Sequence, residues 1–324
     1  MRTGLSALWS GVTGAIAAAA LLLSVLAGYA AYQAPMANQG PEPASFRISV
    51  DVALVVLHAT VTDRQGNSVA NLEQQEFEVY ENGVPQQIRL FKNEDVPVTV
   101  GLVIDHSTTM RPKIAEVTTA ARTFARSSNP EDEMFVVNFH EIASLGLPLG
   151  VRFTHNVADL QDAIMTAPTA GQTALYDAIA MSLQHLQAGH RDKKVLVVVS
   201  DGGDNASKLG LDQVMKRAEE SSAVIYTVGL FDEEDPDRNP GVLKRLARAT
   251  GGEAFVPKEL GEVVAICERI ARDIRHQYTI GYVPGSPARD GSYRTIRVLA
   301  RPKSRDGLSV RTRTGYIAGG KGIQ

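Results

Sequence analysis

Apolar and polar residues alternate with a period of two in the segment that begins at residue 48. The pattern runs ISVDVALVVLHATVTDRQGNSVANL and then FEVYENGVPQQIRLF. This period is typical of β-strands with one buried face, and RQGN and ENG are turn signals. We therefore predict a small all-β unit over residues 48–96, with a hairpin over FEVYENGVPQQIRLF.

From residue 97 to about 276 the pattern changes to short apolar runs that alternate with segments of helical period. The predicted strands are VTVGLVID, EMFVVNF, KVLVVVS, AVIYTVGL and EAFVP. The predicted helices span 111–127, 156–165, 174–188, 211–221, 240–249 and 259–276, and Gly251 and Gly252 signal a helix end. Strands that alternate with helices are typical of βαβ units. The pattern predicts a doubly wound, mainly parallel sheet.

Strand patterns return after residue 277, in QYTIGYVP, SYRTIRVLA and LSVRTRTGYIA. The N-terminal β unit alone is short of strands to bury a face. We therefore expect residues 277–318 to complete it. The predicted fold class is α/β, with an additional small all-β sandwich-like module built from both flanks. We predict that the arginines of the last strands line a solvated sheet edge, where they discourage strand-to-strand aggregation. These arginines are Arg294, Arg297, Arg301, Arg311 and Arg313.

The N-terminal sequence predicts a segment that inserts into a membrane. Residues 5–32, LSALWSGVTGAIAAAALLLSVLAGYAAY, are apolar and small and long enough to span a bilayer, and GYA at 28–30 offers small residues for a signal peptidase. Residues 1–32 are therefore either a cleaved signal peptide or a retained anchor. Arg2 precedes the apolar run, which places the rest of the chain across the membrane. Residues 33–47, QAPMANQGPEPASFR, read as a linker.

Composition narrows the possible function classes. A chain of 324 residues with 44% hydrophobic content is long enough for two domains and a sizeable core. The formal net charge of −3 gives no global basic field, so nucleic acid is not an expected partner. The single cysteine, Cys267, excludes an internal disulfide and is expected in the core. The oligomeric state does not follow from these features.

Side chains that could bind a metal directly follow the strand VTVGLVID. Asp105, Ser107 and Thr109 occupy every second position, so their side chains point to one side of an extended chain. Thr173 begins a predicted helix, and Asp201 ends the strand VLVVVS. In open α/β sheets ligands bind outside the carboxyl ends of the strands. Oxygen ligands suit a hard divalent cation, Mg²⁺ above all, with Mn²⁺ or Ca²⁺ also possible.

A simpler interpretation of the first loop is helix capping. Serine and threonine often accept backbone N–H groups at helix N-termini. Ser107 and Thr109 precede a helix predicted to start near Arg111, so both hydroxyls are candidates for that role.

With these residues, the chain resembles the von Willebrand factor type A domain family, whose metal-ion-dependent adhesion site reads Asp-x-Ser-x-Ser, then a distant Thr and a distant Asp. Thr109 replaces the more usual serine and keeps the hydroxyl. The β segments before and after the domain resemble those of a bacterial, exported branch best known from Acidobacteria. The resemblance covers roughly residues 48–318 and implies a type A domain over residues 97–276.

The resemblance also implies how the metal is held. The two hydroxyls and, in the ligand-bound state, Thr173 are expected to contact the cation, while the aspartates act largely through water. One coordination position is left for a partner's carboxylate. Neutral hydroxyl ligands also leave the cation under-neutralised, so that it attracts an anion.

The expected function is therefore metal-dependent protein binding, in adhesion or assembly, with an Asp or Glu of the protein ligand completing the Mg²⁺ coordination. We expect no enzyme, and a location on the periplasmic face of the inner membrane, or periplasmic or secreted if the N-terminal segment is cleaved. Two alternatives stay open. One is a metal-dependent hydrolase, for which Asp177 and Asp204 are the candidate bases. The other is a scaffold with a purely structural metal.

Overall fold

The computed structural model describes residues 54–201, 203–232, 238–285, 290–302 and 307–319. The predicted membrane segment, 1–32, and the linker, 33–47, lie outside these residues. Within the described ranges, no helix combines the length and the apolar character needed to cross a bilayer.

The elements alternate as the sequence predicts. The strands are β1 Val55–Thr62, β2 Phe77–Glu81, β3 Val84–Gln86, β4 Ile88–Lys92, β5 Val98–Asp105, β6 Glu133–Phe139, β7 Ala143–Leu145, β8 Lys193–Ser200, β9 Val224–Gly229, β10 Ala254–Phe255, β11 Tyr278–Tyr282, β12 Tyr293–Ala300, β13 Ser309–Arg311 and β14 Gly315–Ile317. The helices are α1 Ile114–Ser127, α2 Val157–Met165, α3 Leu175–Leu186, α4 Leu211–Glu220, α5 Pro240–Thr250 and α6 Glu262–Arg275.

A six-stranded sheet forms the centre of the α/β part, in the order β10-β9-β8-β5-β6-β7. Its pairs are parallel except that β7 runs antiparallel to β6. Every residue of β5 is buried, which is typical of a central strand covered by helices on both faces. The mainly parallel, doubly wound fold is confirmed. The three-residue strand β7 was not predicted, because so short a segment carries no readable period.

The helix boundaries have local causes that are clearest in α5. Asn239 precedes this helix and its side chain accepts the Val242 N–H, while Pro240 occupies the first turn, where no N–H partner is needed. At the other end Gly251 has a φ of 87°, the left-handed conformation that glycine adopts without steric cost. The predicted helix-end signal is confirmed.

The flanking strands form two four-stranded antiparallel sheets, ordered β13-β1-β11-β4 and β14-β12-β2-β3. Both sheets mix strands from the two flanks, which confirms the predicted sandwich-like module. Their inner faces share a second hydrophobic core, separate from that of the α/β part, whose fully buried side chains include Leu57, Tyr278 and Tyr282.

The predicted hairpin is right only in its first half. Asn82 and Gly83 have φ values of 48° and 79°, as a tight two-residue hairpin turn requires, and β2 pairs with β3. β4 then leaves this sheet and pairs with β11 in the other one. The strand pattern was correct, but the partner of β4 is β11, which lies far away in the sequence, and no local signal identifies it.

The solvated edge predicted for the C-terminal arginines is wrong for three of the five. Arg294 is buried and pairs with Glu81 at 3.1 Å. Arg311 donates to Asp273 at 2.8 Å, and buried Arg313 donates to the Gly315 carbonyl at 2.8 Å. Partners brought together by the fold, rather than water, satisfy these charges. The other two arginines are exposed, as expected.

Candidate metal centre

Three loops meet at the carboxyl edge of the central sheet. The first follows β5, the second precedes α3, and the third follows β8. The Thr108 N–H donates to the Gly171 carbonyl at 3.3 Å, which joins the first two loops. The Asn205 N–H donates to the Thr173 carbonyl at 3.0 Å, which joins the second to the third. The loops therefore form one hydrogen-bonded unit.

Four of the five predicted site residues form a continuous cluster of oxygen atoms. Thr109 Oγ1 lies 3.1 Å from Ser107 Oγ and donates to Asp201 Oδ2 at 2.5 Å. Asp105 accepts the Ser107 N–H at 2.8 Å through Oδ1 and the Ser200 hydroxyl at 2.6 Å through Oδ2. Two carboxylates and two hydroxyls from distant parts of the sequence thus converge.

The fifth predicted residue, Thr173, is buried in the second loop. Its N–H donates to Asn205 Oδ1 at 2.9 Å, and its carbonyl accepts the N–H groups of Asn205 and Ala206. These hydrogen bonds are all made by the backbone of Thr173.

The electrostatics of the cluster favour a cation. Asp105 and Asp201 are both buried. Burial, and secondarily the Asp201 carboxylate, raise the pKa of Asp105 from the ordinary 3.8 to about 7, against the hydrogen bonds from Ser200 and Ser107. A divalent cation would neutralise both carboxylates in this enclosure, and the all-oxygen set suits Mg²⁺, Mn²⁺ or Ca²⁺. The residues therefore fit the predicted metal.

The capping interpretation of the first loop is wrong. Ser107 precedes a short 3-10 turn, Thr108–Met110, and its side chain makes no capping hydrogen bond. Helix α1 starts only at Ile114, preceded by Lys113. Since the Thr109 hydroxyl bonds to Asp201 instead, both side chains belong to the oxygen cluster.

Two supporting residues escaped the sequence analysis. Ser200 donates to Asp105, and Asn205 fixes Thr173 through its side chain and backbone. Both lie within four positions of Asp201 in the segment VSDGGDN. Only their polar character, at the end of a buried strand for Ser200 and in the loop after it for Asn205, could have singled them out.

The two candidate bases of the hydrolase alternative are engaged in holding the third loop. Asp177 accepts the N–H groups of Lys208 and Leu209, each at 3.0 Å. Asp204 accepts the Tyr176 N–H at 3.1 Å and the Ser207 hydroxyl at 2.6 Å. Both carboxylates therefore tie this loop to the first turn of α3.

The fold and the site define a class of protein: a doubly wound α/β domain with a cluster of oxygen-bearing side chains at the carboxyl edge of its sheet. Residues 100–203 match the model of the von Willebrand factor type A domain family. This range contains all five residues of the candidate site, and the match supports a type A domain in this part of the chain.

Several solved structures resemble the chain at low identity. An aerotolerance-related membrane protein from Bacteroides fragilis is 14% identical over 55% of this chain and 98% of its own, with a TM-score of 0.45. A von Willebrand factor type A protein from Catenulispora acidiphila is 12% identical over 82% and 74%, with a TM-score of 0.49. Proximal thread matrix protein 1 from the mussel byssus, with zinc in its adhesion-site motif, is 15% identical over 60% and 50%, with a TM-score of 0.49. No curated protein sequence matches the chain.

Proposed function

We propose that the type A domain is a metal-dependent protein-interaction module. The observation that carries the proposal is the continuous oxygen cluster of Asp105, Ser107, Thr109 and Asp201. The two hydroxyls would hold the cation directly, the aspartates would hold it largely through water, and Thr173 would join when a partner binds. When bound, the metal supplies a positive charge that an acidic side chain of the partner can reach.

Binding rather than hydrolysis is supported by the role of the neighbouring carboxylates. Metal-assisted hydrolysis needs a positioned base. Asp177 and Asp204 instead accept hydrogen bonds that shape the third loop. A purely structural metal would have its coordination completed by the protein, whereas this ligand set is rich in neutral hydroxyls and leaves the cation electrophilic.

We further propose that the chain is exported and acts on the periplasmic face of the inner membrane, or as a periplasmic or secreted protein. The support is the apolar segment of residues 5–32 behind Arg2 and the resemblance of the flanks to a bacterial exported branch known from Acidobacteria. Protease added to spheroplasts should digest residues 33–324 of an anchored chain. A chain that is fully protected and sediments with the cytosol would reverse the proposal.

The metal itself is tested by thermal unfolding of the full chain in EDTA and in excess Mg²⁺ or Mn²⁺. Binding to the folded state stabilises it by about 2.7 kcal/mol at a hundredfold excess over Kd, so the melting temperature should rise. Asp201→Ala should abolish the rise. Asp212→Ala, an exposed aspartate on α4, serves as the matched control and should keep it. An equal metal response in both variants would place the cation elsewhere.

The partner's role is tested by the coupling between metal and partner. A partner carboxylate that completes the coordination must tighten Mg²⁺ binding by the same factor by which Mg²⁺ tightens the partner. Thr173→Ala should therefore reduce metal affinity modestly and partner affinity severely. Partner binding that is insensitive to EDTA and to Thr173→Ala would make the metal structural.

A further inference from the structure

Exposed aliphatic side chains concentrate in one short segment next to the metal site. In the described part of the chain, nine large apolar side chains are exposed, and four of them lie within ten residues. They are Ile142 at 71%, Leu145 at 49%, Leu149 fully exposed and Val151 at 42%. We call these four residues the apolar ledge. Apolar surface gathered in this way marks interaction sites rather than ordinary solvent-facing positions.

The ledge is held in place by the core beneath it. Ala143 and Leu147 of the same segment are buried in the α/β core. The Gly146 N–H donates to the Val136 carbonyl at 2.8 Å, and β7 pairs with β6. The exposed side chains thus project from a fixed backbone, which reduces the entropy lost when a partner binds.

The ledge continues directly from the metal-site loops. The Phe139 carbonyl accepts the His106 N–H at 2.6 Å, and the His140 carbonyl accepts the Ala174 N–H at 2.7 Å. Glu141 packs so closely on the second loop that a Cβ on Gly171 would lie 2.7 Å from its carboxylate. The residues that lead into Ile142 therefore contact the first and second loops of the candidate site.

The edge of the sheet also exposes backbone groups along the ledge. Gly146 is hydrogen-bonded to β6, and the orientation of N–H groups alternates along a strand, so the N–H and carbonyl of Leu145 point away from β6. β7 is the last strand of this sheet in the described residues. An extended chain laid along the ledge therefore meets both apolar side chains and backbone partners.

We infer that the partner of the metal site is an extended protein segment in which an acidic residue is accompanied by nearby aliphatic or aromatic side chains. The acid would reach the cation and the apolar side chains would rest on the ledge. This inference depends on the proposed function, because it describes what the metal-dependent partner looks like. Apolar contacts beside the charge would supply affinity and selectivity that a carboxylate alone lacks.

The test is a selection from random linear peptides displayed on phage, with the full-length chain immobilised in Mg²⁺ and bound phage eluted by EDTA. The eluted pool should be enriched in Asp or Glu with an aliphatic or aromatic residue a few positions away. One enriched peptide is then synthesised and its Kd is measured against Ile142→Ser and Leu149→Ser. Each variant should weaken binding by about tenfold, as loss of one aliphatic contact predicts. Val84→Ser, which removes an exposed valine from β3, should leave Kd unchanged.

The outcomes separate this inference from the function it rests on. Acidic peptides without apolar enrichment, bound equally by wild type and both ledge variants, would overturn the ledge and leave the metal-dependent interaction intact. No EDTA-eluted acidic peptide would refute the proposed function, and with it the ledge. Self-association in sedimentation, or co-sedimentation with phosphatidylcholine vesicles, abolished by Ile142→Ser would assign the ledge to a second copy or to lipid and also overturn the inference.

Discussion

Replacing Asp105 by Asn should stabilise the metal-free protein at neutral pH while destroying its response to metal. Asp105 and Asp201 are buried in one small cluster. Without a cation, ionisation of Asp105 is opposed by its burial and by the Asp201 carboxylate. An asparagine keeps the shape and can still accept the Ser107 N–H that Asp105 accepts through Oδ1.

The size of the effect follows from the pKa of Asp105. Burial and the Asp201 charge raise that pKa from 3.8 to about 7. At about 1.4 kcal/mol per pKa unit, the ionisation of Asp105 lowers the free energy of unfolding by about 4 kcal/mol at pH 8. Between pH 4 and 7 the folded state holds a proton that the unfolded state has lost. The stability of the metal-free protein therefore falls as the pH rises through this range and levels off above it.

The measurement is urea unfolding of wild type and Asp105→Asn in EDTA at pH 5 and pH 8, repeated at pH 8 with excess Mg²⁺. Asp132, whose pKa burial raises to about 6, contributes in the same direction, so the comparison with the variant is essential. In EDTA the variant should be less sensitive to pH than wild type and more stable than it at pH 8. In Mg²⁺ only wild type should gain stability.

Two results would refute this reasoning. One is a variant that unfolds more easily than wild type at pH 8 in EDTA, which would mean that the Asp105 charge is satisfied without metal. The other is an equal gain in stability from Mg²⁺ in both proteins, which would mean that cation binding does not depend on the Asp105 carboxylate.

Three further substitutions test other parts of the structure. Glu81→Leu should destabilise the β module by about 3–5 kcal/mol in urea unfolding, because it removes the buried carboxylate that pairs with Arg294 and accepts the Tyr282 and Tyr316 hydroxyls; a cost below 1 kcal/mol would contradict this. Asn205→Ala should weaken metal-dependent peptide binding more than Mg²⁺ binding in titration calorimetry, because it removes the side chain that fixes Thr173; equal losses would argue against it. Asn239→Ala should cost about 1 kcal/mol by loss of the α5 cap, and an unchanged urea midpoint would show that the cap contributes nothing.

Much of the candidate site could be predicted from the sequence because four of its five candidate ligands lie at or directly after the ends of strands. Buried strands and amphipathic helices have different periods, so the βαβ order and the helix ends were readable within a few residues. In such a sheet the carboxyl ends meet at one edge, which makes Asp105 and Asp201 neighbours without any knowledge of tertiary contacts. Thr173 lies between two helices, so this argument does not place it. The supporting roles of Ser200 and Asn205 could not be read in this way, since both depend on which atom faces which across loops.

The sequence by itself determined where strands and helices form and which loop ends carry oxygen ligands, because both depend on patterns within a few neighbouring residues. Only the tertiary structure decided the sheet to which β4 belongs, the burial of Arg294 and Arg313, and the raised pKa of Asp105. Each of these depends on residues far away in the sequence that the fold brings within a few ångströms. Strand partners and charge partners are chosen by the packing of the whole chain, and a local pattern of polar and apolar residues carries no record of that choice.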